Sequence, residues 1–169
     1  MPHNRLYRLV KISAKLPQPL RQRLWNKAFG HIVPMVGTAK IQYIHMQPNQ
    51  IIVQLKNHVA VQNHLGQLHA CAMALLAETA TGFITALNVP DHAIVLIKSM
   101  HIDFKRPTSG RMQAIATLSK AQQDLMQNTL KGETVVTVHL TDESPHAPIE
   151  CQMRWAWISK DQLQKKIPD

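Results

Sequence analysis

One stretch of this chain restricts its fold more than any other. From Leu68 to about Leu87 runs an Ala-rich apolar segment, beginning Leu68-His69-Ala70-Cys71-Ala72-Met73-Ala74-Leu75-Leu76-Ala77-Glu78-Thr79-Ala80, whose single charge is Glu78. A segment of that length exceeds an ordinary strand and reads as a helix. A helix on a surface keeps a charged face toward water, so one that is apolar nearly all round must be enclosed by its own domain. The rest of the chain has to wrap it.

That remainder reads as strands. Ala39–Met46 and Ile51–Lys56 flank Gln47-Pro48-Asn49-Gln50, a hairpin turn. Four more follow the helix: Ala93–Phe104, Arg111–Ser119, Glu133–Thr141 and Pro148–Ile158, with a turn at Pro107-Thr108-Ser109-Gly110. The last alternates, with Cys151, Met153, Trp155 and Trp157 on one face and Glu150, Gln152 and Arg154 on the other. Two strands, a buried helix and four strands predict an α+β domain in which one sheet wraps one helix. A chain of 169 residues suits one such domain with a real core. Ahead of it, residues 5–15 place Leu6, Leu9 and Val10 on one helical face, and Pro17 ends the segment. A second helix starts near Pro19, carries Leu20, Leu24 and Ala28 with Trp25 and Phe29 beside them, and meets a stop signal at Gly30. The expected organisation is a helical extension over 1–37, the main domain over 38–160, and a polar, fraying tail over 161–169. The two helices are expected to pack their apolar stripe on the domain; the other use of such basic amphipathic helices is docking to a membrane surface or an acidic partner.

Charge is divided sharply along the chain. The formal net charge is +9, yet all ten acidic residues lie at or after Glu78, where ten Lys/Arg balance them; nine more Lys/Arg precede it. The excess therefore resides in residues 1–77, a basic surface that attracts anions such as nucleotide phosphates, acidic membranes or nucleic acid. An aromatic content of 5% and no stacking motif argue against nucleic acid. Cys71 and Cys151 form no CxxC pair, which points to a reducing compartment and to Cys71 as a small core residue. Arg5, Arg8, Lys11 and Lys15 break up any signal-peptide core, and no apolar run reaches the ~18 residues that span a bilayer, so a cytoplasmic location is expected. Ten histidines are scattered without an HExxH, and neither GxxxxGK[ST] nor GxGxxG occurs; no metal or cofactor is expected.

The chemistry concentrates around the buried segment. Asn63-His64-Leu65-Gly66-Gln67-Leu68-His69 leads into the helix start. Backbone N–H groups there are unpaired and suited to an oxyanion, Asn63 adds an amide donor, and Gly66 lets the chain turn without a side chain in the way. Glu78, desolvated among apolar neighbours, is the candidate base or nucleophile. Residues 69 and 78 are nine apart, so at about 100° per residue they point to opposite sides of one helix. A symmetric dimer solves this, with the helix start of one subunit facing Glu78 of the other.

The run Asn63-(five residues)-His69-Ala70-(seven residues)-Glu78, on a helix after two strands and before four, resembles the hotdog-fold thioesterases. It is most similar to the acyl-coenzyme A branch related to phenylacetate-pathway thioesterases, in a sub-branch with extra N-terminal helices, over roughly Thr38–Ile158. The resemblance implies that Asn63 orients the thioester, the Ala70 N–H polarises its carbonyl, His69 orders the loop, and Glu78 activates water or attacks directly. It implies an acyl-coenzyme A or acyl-carrier-protein substrate, a homodimer or dimer of dimers, and coenzyme A phosphates met by Lys105, Arg106 and Arg111. Three departures stand out: His69-Ala70-Cys71 replaces His-Gly-Gly, Glu78 stands where Asp is common, and Ile97 lies where a hydroxyl is often found, with Ser99 nearby. Two alternatives remain: a hotdog dehydratase or hydratase, whose His-Phe-Pro-Gly-like segment is absent, and a non-catalytic acyl-thioester or lipid-binding module.

Overall fold

The apolar segment forms α4, Ala70–Asn88, in a computed structural model that describes residues 4–164. The helix begins where the His69 ring caps it, Nδ1 accepting the Cys71 N–H at 3.1 Å. It ends at Asn88, a buried residue whose amide donates to the Pro48 carbonyl at 2.7 Å, with Pro90 just beyond. By length and composition α4 does meet the requirement for crossing a bilayer, contrary to the sequence expectation. Its side chains are used otherwise: eleven of them are buried inside the protein.

Six antiparallel strands wrap it: β1 (Gln42–Gln47), β2 (Gln50–Leu55), β3 (Ala93–Phe104), β4 (Met112–Thr117), β5 (Lys131–Thr141) and β6 (Ile149–Ser159). Their order in the sheet is β1-β2-β4-β5-β6-β3. This is the hotdog arrangement that the resemblance implied. Ile51, Val53 and Leu55 of β2 stand opposite Ala116, Ala114 and Met112 of β4, so all six share one face, and all are fully buried. Leu76, Ala80, Ile84 and Leu87 of α4 complete this core, where truncating one leucine to alanine costs about 2–5 kcal/mol. The alternation expected in β6 is present, with Met153, Trp155 and Trp157 inward and Glu150, Gln152 and Arg154 exposed.

The last strand in the order, β3, is an edge. It pairs with β6 along its whole length, with a bulge between Ile97 and Ser99 that leaves Lys98 unmatched. Ile97, Met100 and Phe104 stand opposite Trp155, Met153 and Ile149 and so belong to the inner face. All three are nevertheless exposed, so the inner face of this edge is only partly covered, with Val95 and Ile102 packed against the core.

The N-terminal region holds three helices rather than two: α1 (Arg5–Ser13), α2 (Gln18–Ile32) and α3 (Pro34–Thr38). Gly30 does not stop α2. A Cβ there would sit 3.1 Å from the Gly37 Cα, so this glycine serves the close approach of α2 and α3. The face expected to pack is also reversed on α2. Trp25 and Phe29 are buried, whereas Leu20 and Leu24 face solvent. The aromatic side prevails because Phe29 joins a three-ring cluster with Tyr43 and Phe83, centroids 4.7 to 4.9 Å apart. Val10, Trp25, Phe29 and Val36 belong to the same buried cluster as the sheet and α4, so the helices share one core with the main domain. On α1, Asn4 caps the helix and donates to the Ala86 and Val89 carbonyls at 2.7 Å, tying it to the end of α4.

One helix lies in a segment that sequence reasoning left without an element. Helix α5, Lys120–Asn128, joins β4 to β5 and opens on a full capping box of Ser119 and Gln122. The short α6, Lys160–Gln164, begins the expected polar tail; residues 165–169 of that tail lie outside the described residues.

Candidate active site

The approach to α4 is a tightly bonded loop. The Asn63 side-chain carbonyl accepts the Leu65 N–H at 2.9 Å and the Gln67 N–H at 3.1 Å. Its backbone exchanges bonds with Gln67 and Gly66. Gly66 sits at φ 70°, a left-handed conformation that a side chain would strain, and supplies its carbonyl to the Asn57 amide at 2.9 Å. Thr108, a buried hydroxyl that the sequence did not single out, accepts the Leu68 N–H at 3.1 Å and pins the loop to the Pro107–Gly110 turn.

The consequence is a selective opening at the helix start. His69 Nδ1 takes the Cys71 N–H, and the His69 carbonyl takes those of Ala72 and Met73. Among the described residues nothing accepts the Ala70 N–H. Beside the helix start lies an apolar hollow of about 340 Å³ whose lining includes Met35, Gln62, His69, Cys71 and Leu75, the two neighbours of Ala70 among them. Cys71 is exposed here rather than in the core, while Ala72 and Met73 of the same turn face inward. An unpaired N–H with the positive end of a nineteen-residue helix behind it can hold a developing oxyanion.

Glu78 lines a second hollow of about 290 Å³, on the side of α4 covered by the N-terminal helices. Phe29, Val33, Phe83, Val95 and Trp155 are among its apolar walls. The carboxylate is half-buried and, among the described residues, has neither hydrogen bond nor ion pair; burial raises its pKa above the usual carboxylate value. Two buried hydroxyls stand by without partners, those of Thr79, in the same hollow, and Tyr43. The Tyr43 phenol is pushed up by burial and by the charge of Glu78, so the two are electrostatic neighbours. Periodicity carried no signal for Tyr43, since a core tyrosine and a site tyrosine look alike in sequence.

The two hollows share no lining residue, and Ala70 and Glu78 lie roughly 12 Å apart along the helix axis. The structure therefore groups Asn63, Gly66, His69 and Ala70 at one place and sets Glu78 at another. Met73 and Leu76 are buried in the core, while Trp155 spans core and hollow, its Nε1–H donating to Thr81 Oγ1 at 2.9 Å. Ser99 stands opposite the exposed Arg154, on the outer face away from α4.

The candidate phosphate-binding cations are each held by a carboxylate. Lys105 meets Glu150 at 3.0 Å and Arg111 meets Glu143 at 3.3 Å, both exposed. Arg106 is more committed. Its guanidinium grips Asp142 through Nη1 and Nη2 at 2.9 and 2.7 Å, and it also donates to the Pro107 and His146 carbonyls. Asp142 has no exposed side-chain surface, so Arg106 anchors the turn. Among the described residues no three His, Cys, Asp or Glu side chains gather as a metal site.

Comparison with known proteins places this geometry in a lineage. The model of a family described as a domain of unknown function, DUF4442, matches residues 21–158. No curated protein matches the chain. Among solved structures it is similar to a Pseudomonas aeruginosa protein of unknown function described as a probable thioesterase, with TM-score 0.71, 21% identity, and coverage of 85% of this chain and 97% of that one. It is similar to a Haemophilus influenzae thioesterase, with TM-score 0.64, 16% identity and coverage of 86% and 92%. A Chlorobaculum tepidum protein of unknown function gives TM-score 0.70 at 10% identity, with coverage of 87% and 99%. At these identities the likeness is one of fold.

Proposed function

The chain belongs to the DUF4442 family, and on that scaffold we propose that it hydrolyses an acyl thioester at a site shared between two subunits. The observation that carries this reading is the state of the two ends of the site. The Ala70 N–H is free at the start of α4, and Glu78 is unpaired in an apolar hollow on the same helix. An unpartnered, half-buried carboxylate is expensive to keep unless a substrate uses it, and the exposed N–H at the helix start is open to a ligand. The solved thioesterases of the same fold lend the reaction class.

In the proposed mechanism the thioester carbonyl oxygen meets the Ala70 N–H of one subunit. Glu78 of the partner subunit takes a proton from water, which attacks the carbonyl carbon; the C–S bond then breaks and the thiolate leaves. A raised pKa suits this base role, since a base near neutrality transfers protons most effectively. His69 positions the helix start and Asn63 holds the loop, with its amide N–H groups left to orient the substrate. Acyl-coenzyme A is the substrate proposed. The bare edge β3 supports a second copy, because an unprotected twelve-residue edge with apolar side chains invites pairing.

The test is thiol release from short, long and aromatic acyl-coenzyme A substrates, comparing wild type with Glu78→Ala and Glu78→Gln. The expected loss is about 10²–10⁴-fold in kcat with folding intact. Full activity in a folded Glu78→Gln, or no release from any substrate, would overturn the proposal.

A further inference from the structure

The outward sides of α1 and α2 carry more apolar surface than their packing uses. Leu9, Ile12 and Leu16 recur at three- and four-residue spacing, and Leu20 and Leu24 continue at four-residue spacing into α2. All five are exposed, Leu9 and Ile12 at 63% and 66%. The inward sides are already occupied by Val10, Ser13, Trp25 and Phe29. Between the aliphatic side chains stand Arg8, Lys11, Lys15, Arg23 and Lys27, also exposed. Among the described residues none of these five makes an ion pair, and no carboxylate precedes Glu78 in the chain.

We propose that this face docks the protein on an anionic lipid surface, with the five aliphatic side chains entering the headgroup boundary and the five cations meeting lipid phosphates. The arrangement favours lipid over other occupants. An interfacial helix sets an aliphatic stripe beside a row of cations, and on α1 Leu9 and Ile12 form such a stripe with Arg8, Lys11 and Lys15 along its side, with no carboxylate among them. A second copy would set one uncompensated cationic face against another. Nucleic acid calls for aromatic platforms, and the Trp25 and Phe29 rings are buried. The inference does not depend on hydrolysis.

The experiment is co-sedimentation of the intact protein with vesicles of phosphatidylcholine alone and with about one third phosphatidylglycerol, at low and high salt. Binding is expected only to the anionic vesicles, and weaker at high salt. Each basic residue at such a surface contributes about fivefold, so Arg8→Ala with Lys15→Ala should weaken binding about 25-fold. Ile12→Asp, at an exposed position, should weaken it at least tenfold with an unchanged melting temperature. Lack of binding to anionic vesicles, equal binding to neutral ones, or indifference to both sets of substitutions would overturn the proposal. So would a self-association abolished by Ile12→Asp in the absence of lipid binding.

Discussion

Replacing Ala70 by proline removes one atom group that the proposed site needs and little else. Ala70 is the first residue of α4, where a proline is tolerated because its missing N–H has no partner within the helix. The residue ahead, His69, has φ −65° and ψ 146°, the extended conformation that a following proline demands. The Ala70 side chain is exposed, and the His69 cap bonds Cys71, one residue further on. Ala70→Pro should therefore leave stability within about 0.5 kcal/mol of wild type. Its effect on thiol release should be large, about 10²–10³-fold in kcat, the worth of one oxyanion donor at about 2.7–4 kcal/mol. The same variant tests whether the site is shared. Ala70→Pro and Glu78→Ala, each inactive alone, are refolded together in equal amounts. Half of the dimers are then mixed, and each mixed dimer has one of its two sites intact, giving about a quarter of wild-type activity. If both groups act within one chain, every chain in the mixture is defective and nothing is regained. A floor-level mixture would refute the shared site, and an active Ala70→Pro would refute the oxyanion role.

Three further outcomes follow from the packing and the charges. Burial holds the Glu78 pKa above its unfolded value, so the native state binds the proton more readily; its contribution to stability falls as pH rises through that window and stays lost above it. Glu78→Gln should be the more stable protein at neutral pH, with the gap closing below the ordinary carboxylate range; urea midpoints across pH that run parallel would contradict this. Arg106→Ala takes from Asp142 its guanidinium partner and leaves only the Ser109 and Ser144 N–H groups on that carboxylate, so it should lower the urea midpoint; an unchanged midpoint would show that the turn is not held this way. Gly82→Ala brings a Cβ within 2.7 Å of the Trp155 ring, itself tied to Thr81, and should cost about 1–3 kcal/mol; an unchanged melting temperature would mean that the ring moves freely.

The central helix and the six strands were legible because burial imposes a period and a length on them. Ala93–Phe104 and the alternation of β6 stand as the sequence suggested, and the other strand limits shift by a few residues at most. The misreadings share a physical cause. On α2 two apolar faces compete, and periodicity cannot tell that Phe29 has Tyr43 and Phe83 waiting while Leu20 has water. Gly30 looks like a terminator, yet its missing side chain serves a contact with Gly37. Cys71 has the composition of a core residue but sits on the outer side of a turn whose Ala72 and Met73 take the inward positions. Helix α5 did leave a signal in Ser119-Lys120-Ala121-Gln122, a capping box without a long apolar face behind it. For the candidate site, the Asn63–Ala70 loop and Glu78 could be picked out from residue types, whereas Tyr43, Thr79 and Thr108 become visible only through burial and missing or long-range partners.

The strand order carries a lesson about synthesis. Helix α4 and β3 leave the ribosome well before β6, the strand that covers one side of β3. Translating from Phe104 to Ile149 takes roughly 2–9 s at 5–20 residues per second. Throughout that interval the nascent chain holds a twelve-residue segment with eight apolar side chains and no strand partner, beside a helix apolar enough for a bilayer. Retaining the growing chain by chaperones that bind extended apolar segments is the natural way to bridge those seconds, and crowding of ribosomes on one message would bring two such strands together before either sheet is complete.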